Sequence, residues 1–287
     1  MSNDIFARLD EEGKRWSKGQ KRIAAYIRSD YDKAAFMTAA RLGDTVGVSE
    51  STVVRFATEL GYDGYPEMRR AMQEMVRSRM TSVQRIEVAG DMMDGENALK
   101  TVMNSDINNL QSTLEKLDRA SFSAAVYAIE NAQHLYIVGM RSSMALASFL
   151  GFYMNLLVDN VRTIQDTTAN NVCEQIMHIG PGDVYIGISY PRYSASSYSA
   201  MEFARRRGAT VIAITDNDSS PFSRLAHIRL YAGSDMVSFL DSLVAPMSLI
   251  NALIVAVAAR RRDNLEQTFN YLEELWSEYE VFITDKS

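Results

Sequence analysis

From the N-terminus to about residue 80, apolar residues recur every three or four positions, the spacing of one helix face. In SKGQKRIAAYIRS, Ser17 and Gln20 stand at capping-box spacing, and Ile23, Tyr26 and Ile27 follow on one side. Glycine and proline fall only at breaks. Over residues 81–97 the periodicity is lost and two glycines appear, so this stretch reads as a linker or irregular connection. Two helices are expected over Ala98–Leu117 and Ser121–Asn131. From residue 134 the rhythm changes. Short apolar bursts, HLYIVG, DVYIGIS, TVIAIT and HIRLYAG, alternate with helical segments. That alternation predicts βαβ units and a parallel sheet. Beyond Ser238 the chain reads as helical, with Leu265, Phe269, Leu272 and Trp276 on one stripe. The expected division is an all-α domain over 1–80, a linker over 81–97 and an α/β domain over 98–287.

Composition narrows the function classes. With 47% apolar and 23% charged residues over 287 positions, the chain has ample material for a globular core. Its single cysteine, Cys173, excludes internal disulfides and cysteine-cluster metal sites. His134, His178 and His227 lack ligand spacing, so neither a metal nor a cofactor is expected. The uncharged run SLVAPMSLINALIVAVAA, residues 242–259, just reaches the length of a membrane span. Pro246, Ser248, Asn251 and the many small residues favour a helix buried in a domain or subunit interface. No apolar leader opens the chain, so a cytoplasmic protein without membrane contact is expected. Charge is uneven: residues 1–80 hold 14 basic against 12 acidic residues, and the remainder holds 16 against 24. This slight basic excess at one end is weak support for nucleic-acid contact.

The richest stretch is MTAARLGDTVGVSESTVVRFATELGY. A helix-turn-helix needs apolar residues on the faces that meet and a glycine between them. Leu42, Val46, Val48, Val53 and Phe56 take the apolar positions, Gly43 is small where the helices touch, and Gly47 supplies the turn. Ser49 caps the second helix. The face left open offers Ser49, Ser51, Thr52 and Arg55, residues of the kinds that contact phosphates and base edges. Glu50 repels phosphate, so it points away or meets a base amine. One short recognition helix makes few base contacts. A homo-oligomer, dimer or tetramer, on double-stranded operator DNA is therefore expected.

The run VSESTVVRFATELGYDGYPEMRRAM resembles the N-terminal domain of RpiR-type (MurR/RpiR) bacterial transcriptional regulators. Those proteins join a helix-turn-helix domain to a sugar isomerase (SIS) domain, and the resemblance extends over nearly the whole chain. It implies a flavodoxin- or Rossmann-like three-layer sandwich for the α/β half, and a regulator that senses a small anionic metabolite. The readings in competition are a phosphosugar isomerase with an accessory helical domain and a SIS module that regulates a protein partner.

Two strand-to-helix loops carry the candidate ligand chemistry. In YIVGMRSSMALASF the loop offers Arg141, Ser142 and Ser143 at a helix N-terminus, where free N–H groups favour anions. In DVYIGISYPRYSASS the second loop offers Ser189, Arg192 and Ser194. Family members tend to show S-x-S-G-x-T there. Ser189 and Ser194 fit, but Pro191 and Arg192 replace serine and glycine, and Arg141 stands where the first loop often has glycine. Pro191 removes a backbone donor, and the two guanidinium groups replace it. The expected ligand is an anion held by side chains, a carboxylate as an alternative to a phosphate monoester. No catalytic residue is assigned. Glu174, His178 and Cys173 lie near the second loop in sequence, but their spacing does not demand catalysis.

Overall fold

The structure is a computed structural model and describes residues 5–12, 16–79, 81, 83–86, 98–164, 172–236 and 239–282. The chain forms two compact units, Met1–Leu99 with Val237–Leu240, and Lys100–Met236 with Asp241–Ser287.

The first unit is helical: α1 (Ile5–Glu12), α2 (Lys18–Ser29), α3 (Tyr31–Ala34), α4 (Ala39–Val46), α5 (Glu50–Glu59) and α6 (Tyr65–Arg79). Its starts follow local chemistry. Ser17 and Gln20 form the capping box of α2, and Thr38 caps α4 through the Arg41 amide. The apolar stripes converge on a core of Ile23, Ile27, Leu42, Val53, Phe56 and Met68, each fully buried. Within the stretch read as a linker, residues 83–86 form a helical turn. Arg85 is buried there, its Nη1 donating to the Phe239 carbonyl at 3.5 Å. Residues 82 and 87–97 of that stretch lie outside the described residues.

The second unit runs α7 (Ala98–Glu115), α8 (Arg119–Glu130), β1 (Leu135–Gly139), α9 (Ser143–Leu157), β2 (Val161–Ile164), α10 (Val172–Gln175), β3 (Val184–Ile188), α11 (Ala195–Arg206), β4 (Thr210–Thr215), α12 (Pro221–Leu225), β5 (Ile228–Tyr231), α13 (Val244–Arg260) and α14 (Arg262–Glu278). The strands make one parallel sheet in the order β2-β1-β3-β4-β5. Side chains alternate across it. Ile137, Ile186 and Ile212 face one core with α8, α9 and α13, while Tyr136, Tyr185 and Val211 face the other with α10, α11 and α12. This is the expected three-layer sandwich. The sequence reading missed β2, a four-residue strand whose pattern is mostly half-exposed because it lies at the edge. The uncharged 242–259 run is α13. It buries Ala245, Pro246, Leu249, Ile250, Leu253 and Val257. Among the described residues, no single helix is long and apolar enough to cross a membrane.

Candidate DNA-binding face and effector site

The turn between α4 and α5 depends on two glycines for different reasons. Gly47 ends α4 at φ 67°, ψ 46°, the left-handed cap that glycine adopts without steric penalty. Gly43 is needed for space, since a Cβ there would lie 2.8 Å from the Val48 carbonyl oxygen. Ser49 caps α5 by accepting from the Thr52 amide, and its hydroxyl lies 2.9 Å from Ser51 Oγ and 2.8 Å from Thr52 Oγ1. The structure thus brings the three hydroxyls together at the start of the second helix. Arg55 is exposed one turn further on, while Val53, Phe56 and Ala57 are buried behind it.

In the sheet order found here, the chain leaves β1 toward one face and β3 toward the other. Their following loops diverge, and in such sheets the ligand crevice opens outside those two strand ends. The candidate residues stand at this place. Arg141, Ser142 and Ser143 follow β1, while Ser189, Arg192 and Ser194 follow β3. Ser194 caps α11 through the Ser197 amide, and Ser189 Oγ accepts from the Ser194 amide at 3.4 Å. Ser142 precedes α9 but makes no capping bond, and Ser143 and Ser189 are buried. Gly139 lets the first loop close tightly, because a Cβ there would lie 2.5 Å from the Ser143 carbonyl oxygen.

Both arginines are exposed, and both have left-handed backbone, φ 55° at Arg141 and φ 67° at Arg192. Among the described residues only two other non-glycine positions have positive φ, Asn160 and Glu280. A side chain in this conformation costs about 1–2 kcal/mol. Both loops therefore keep a backbone that suits glycine while carrying a guanidinium there. Strain of this kind concentrates at functional sites.

The second loop is anchored on both faces of the sheet. Tyr190 is buried in one core and Tyr193 packs on the other, against Phe222 at a 6.1 Å ring separation. The Tyr193 hydroxyl donates to Asp216, 2.8 Å from Oδ1 and 3.1 Å from Oδ2. Thr215 Oγ1 and Asn217 Nδ2 also donate to this carboxylate, at 3.0 and 2.9 Å. Burial, then the Asp216 charge, holds the Tyr190 phenol well above its ordinary pKa, so it stays neutral. Arg192 lies between these two anchors in the chain. The sequence reading did not find Asp216. The available signal was an acid directly after a strand end, in TVIAITDN.

The remaining titratable candidates are dispersed. His134 Nδ1 lies 2.8 Å from Asp183 Oδ1, and His227 Nδ1 accepts from the Val211 amide at 3.0 Å, both at the opposite, N-terminal ends of strands. Glu174, His178 and Cys173 are exposed. Among the described residues no group of three or more His, Cys, Asp or Glu side chains could hold a metal ion.

Comparison with known families fits this geometry. Residues 4–79 match the helix-turn-helix domain of the rpiR family, and residues 128–256 match the SIS domain. The chain belongs to the RpiR family. Among solved structures, the sugar isomerase domain of an RpiR transcription factor from Sphaerobacter thermophilus is 29% identical, with a TM-score of 0.60 over 62% of this chain and 99% of that one. The Vibrio vulnificus NanR protein, complexed with ManNAc-6P, is 20% identical, with a TM-score of 0.59 over 95% of this chain and 98% of that one. A ligand-bound protein of E. coli is 14% identical, with a TM-score of 0.51 over 61% of this chain and 96% of that one. The last two show the shared fold alone. The RpiR-type chain is thus a DNA-binding transcriptional regulator with a ligand-sensing SIS domain.

Proposed function

We propose that this RpiR-type regulator contacts its operator through Ser49, Ser51, Thr52 and Arg55 and senses a small anionic metabolite through Arg141, Ser142, Ser143, Ser189, Arg192 and Ser194. The effector is a phosphosugar, a sugar acid or a related carboxylate. The observation that carries this reading is the pair of left-handed arginines at the ends of β1 and β3. The ManNAc-6P bound to Vibrio vulnificus NanR supports an anionic sugar derivative as the class.

A thermal-shift screen of the full chain against sugar phosphates, sugar acids and small carboxylates tests it, because a ligand of the folded state raises apparent stability. At least one class is expected to shift the melting temperature, and Arg192→Ala is expected to abolish most of the shift. No shift from any class would overturn the reading. On the DNA side, Arg55→Ala weakens operator binding by about 1–3 kcal/mol if Arg55 reads a guanine. An equal loss on random duplex would make it a phosphate contact.

The chain senses its ligand without turning it over, since sensing needs only a differential affinity between two conformations. Isomerisation of any bound sugar phosphate, followed by NMR, would contradict this. The regulator acts in the cytoplasm as a dimer or tetramer. Supporting self-association is an apolar groove of about 430 Å³ between α7 and α13, lined by Ile107, Leu110, Leu114, Ala245 and Ala252. Monomers by light scattering at micromolar concentration would refute it.

A further inference from the structure

The recognition helix carries a side chain that its polar chemistry does not explain. On α5 the residues Ser51, Val54, Arg55 and Thr58 share one face at three- and four-residue spacing, opposite the buried Val53, Phe56 and Ala57. Val54 is 40% exposed. Among the described residues between 5 and 79 it is the only large hydrophobic side chain left open to this extent. Its neighbours are polar and partly committed. Thr58 Oγ1 donates back to the Val54 carbonyl at 3.3 Å, and Ser51 Oγ lies 2.9 Å from Ser49 Oγ. The open face thus presents one isopropyl group between hydroxyls and a guanidinium. Among the described side chains of residues 5–79 the other large apolar ones are partly or fully buried, while this one opens onto the exposed face of α5.

The major groove has one apolar feature on its base edges, the 5-methyl group of thymine. We infer that Val54 reads a thymine methyl in the operator and so helps set its sequence. The inference rests on α5 being the recognition helix. Under that arrangement Val54 is a specificity residue, and its loss changes preference at one base pair rather than general affinity for DNA.

The probe is a duplex selected by the full-length protein from a randomised library. Each thymine is replaced in turn by deoxyuridine, which removes only the methyl group. One thymine in each half-site is expected to lose about fourfold in affinity on replacement, the worth of one buried methyl-sized group. Val54→Ala should lose a similar factor on the thymine duplex and less than twofold on the matching deoxyuridine duplex. Val54→Ala effects that are equal on both duplexes at every position, or absent while Arg55→Ala still weakens binding, would overturn the inference. If Arg55→Ala is silent as well, or the library yields no preferred sequence, the assignment of α5 fails and this inference falls with it.

Discussion

Gly47 and Arg192 have the same backbone angle, φ 67°, in different units of the chain. At Gly47 the turn of the helix-turn-helix needs only the conformation, and a residue without a side chain supplies it. At Arg192 the loop holds the same conformation with a large charged side chain, between the two anchors Tyr190 and Tyr193. Arg141 repeats the arrangement at φ 55° after β1. A left-handed residue with a side chain is disfavoured by about 1–2 kcal/mol relative to glycine, so the contrast separates two demands. The turn between α4 and α5 asks for shape alone, whereas under the proposed function the two loops at the ends of β1 and β3 ask for shape and a cation together.

The sharpest disruption bypasses φ and attacks close approach. Gly139→Ala would put a Cβ 2.5 Å from the Ser143 carbonyl oxygen, which is backbone and cannot rotate away. It should destabilise the α/β unit by about 3 kcal/mol, the upper range for overpacking, and disturb the Arg141 loop. Gly43→Ala meets the Val48 carbonyl oxygen at 2.8 Å and should cost the helical unit about 2 kcal/mol. Urea unfolding followed separately for each unit reads both. If either alanine is neutral, the close approach is not what selects glycine there.

A reciprocal pair tests the comparison itself. Gly47→Ala should destabilise the helical unit by about 1 kcal/mol, because alanine dislikes left-handed backbone. Arg192→Gly should do the reverse, stabilising the α/β unit by about 1 kcal/mol while weakening effector binding about tenfold through the lost charged hydrogen bond. Chemical denaturation and calorimetry on the same samples report the two effects. Unchanged affinity in Arg192→Gly would make Arg192 a surface residue and remove its half of the argument.

What the sequence made legible follows the range of the interactions. Ser17 and Ser49 act on amides three residues away, and both caps are legible as local patterns. The three central strands, β1, β3 and β4, announced themselves as apolar bursts because both sheet faces are covered, and the edge strand β5 did so through Ile228, Leu230 and Tyr231. β2, at the other edge, did not, because VRTI offers only Val161 and Ile164 as apolar residues and buries only Ile164. The placement of the two candidate loops at neighbouring strand ends required the sheet order. The Tyr193–Asp216 bond spans 23 residues and depends on how β3 and β4 pair, so neither residue type pointed to it. The left-handed angles at the arginines were also hidden. A departure from a glycine-bearing motif suggests a changed backbone as readily as a retained one.

Tyr193→Phe isolates that anchor. It removes the hydroxyl from Asp216 and keeps the ring against Phe222. The expected cost is about 1 kcal/mol of stability, the net value of one typical intramolecular hydrogen bond. If the bond also holds Arg192 in position, Tyr193→Phe should weaken effector binding several-fold in the parent chain and have little effect in Arg192→Gly. Equal losses in both backgrounds would mean that the bond stiffens the sheet end without serving the arginine.

The smallest expected effect is a pH dependence that separates the units by composition. All three histidines lie at or beyond residue 134, so the helical unit has none. His227 accepts the Val211 amide on Nδ1, a bond that requires the neutral ring. Partial burial and then the Arg205 guanidinium hold its pKa below the ordinary value of 6.5. The unfolded chain therefore takes up a proton at a higher pH than the folded chain does. The stability contributed by the neutral ring is complete above about pH 6.5 and is lost as the pH falls through the lower folded value. Urea midpoints of the α/β unit should decline modestly between pH 7.5 and 5.5, and His227→Gln should flatten that decline. A decline that persists unchanged in His227→Gln would assign the acid sensitivity to another group.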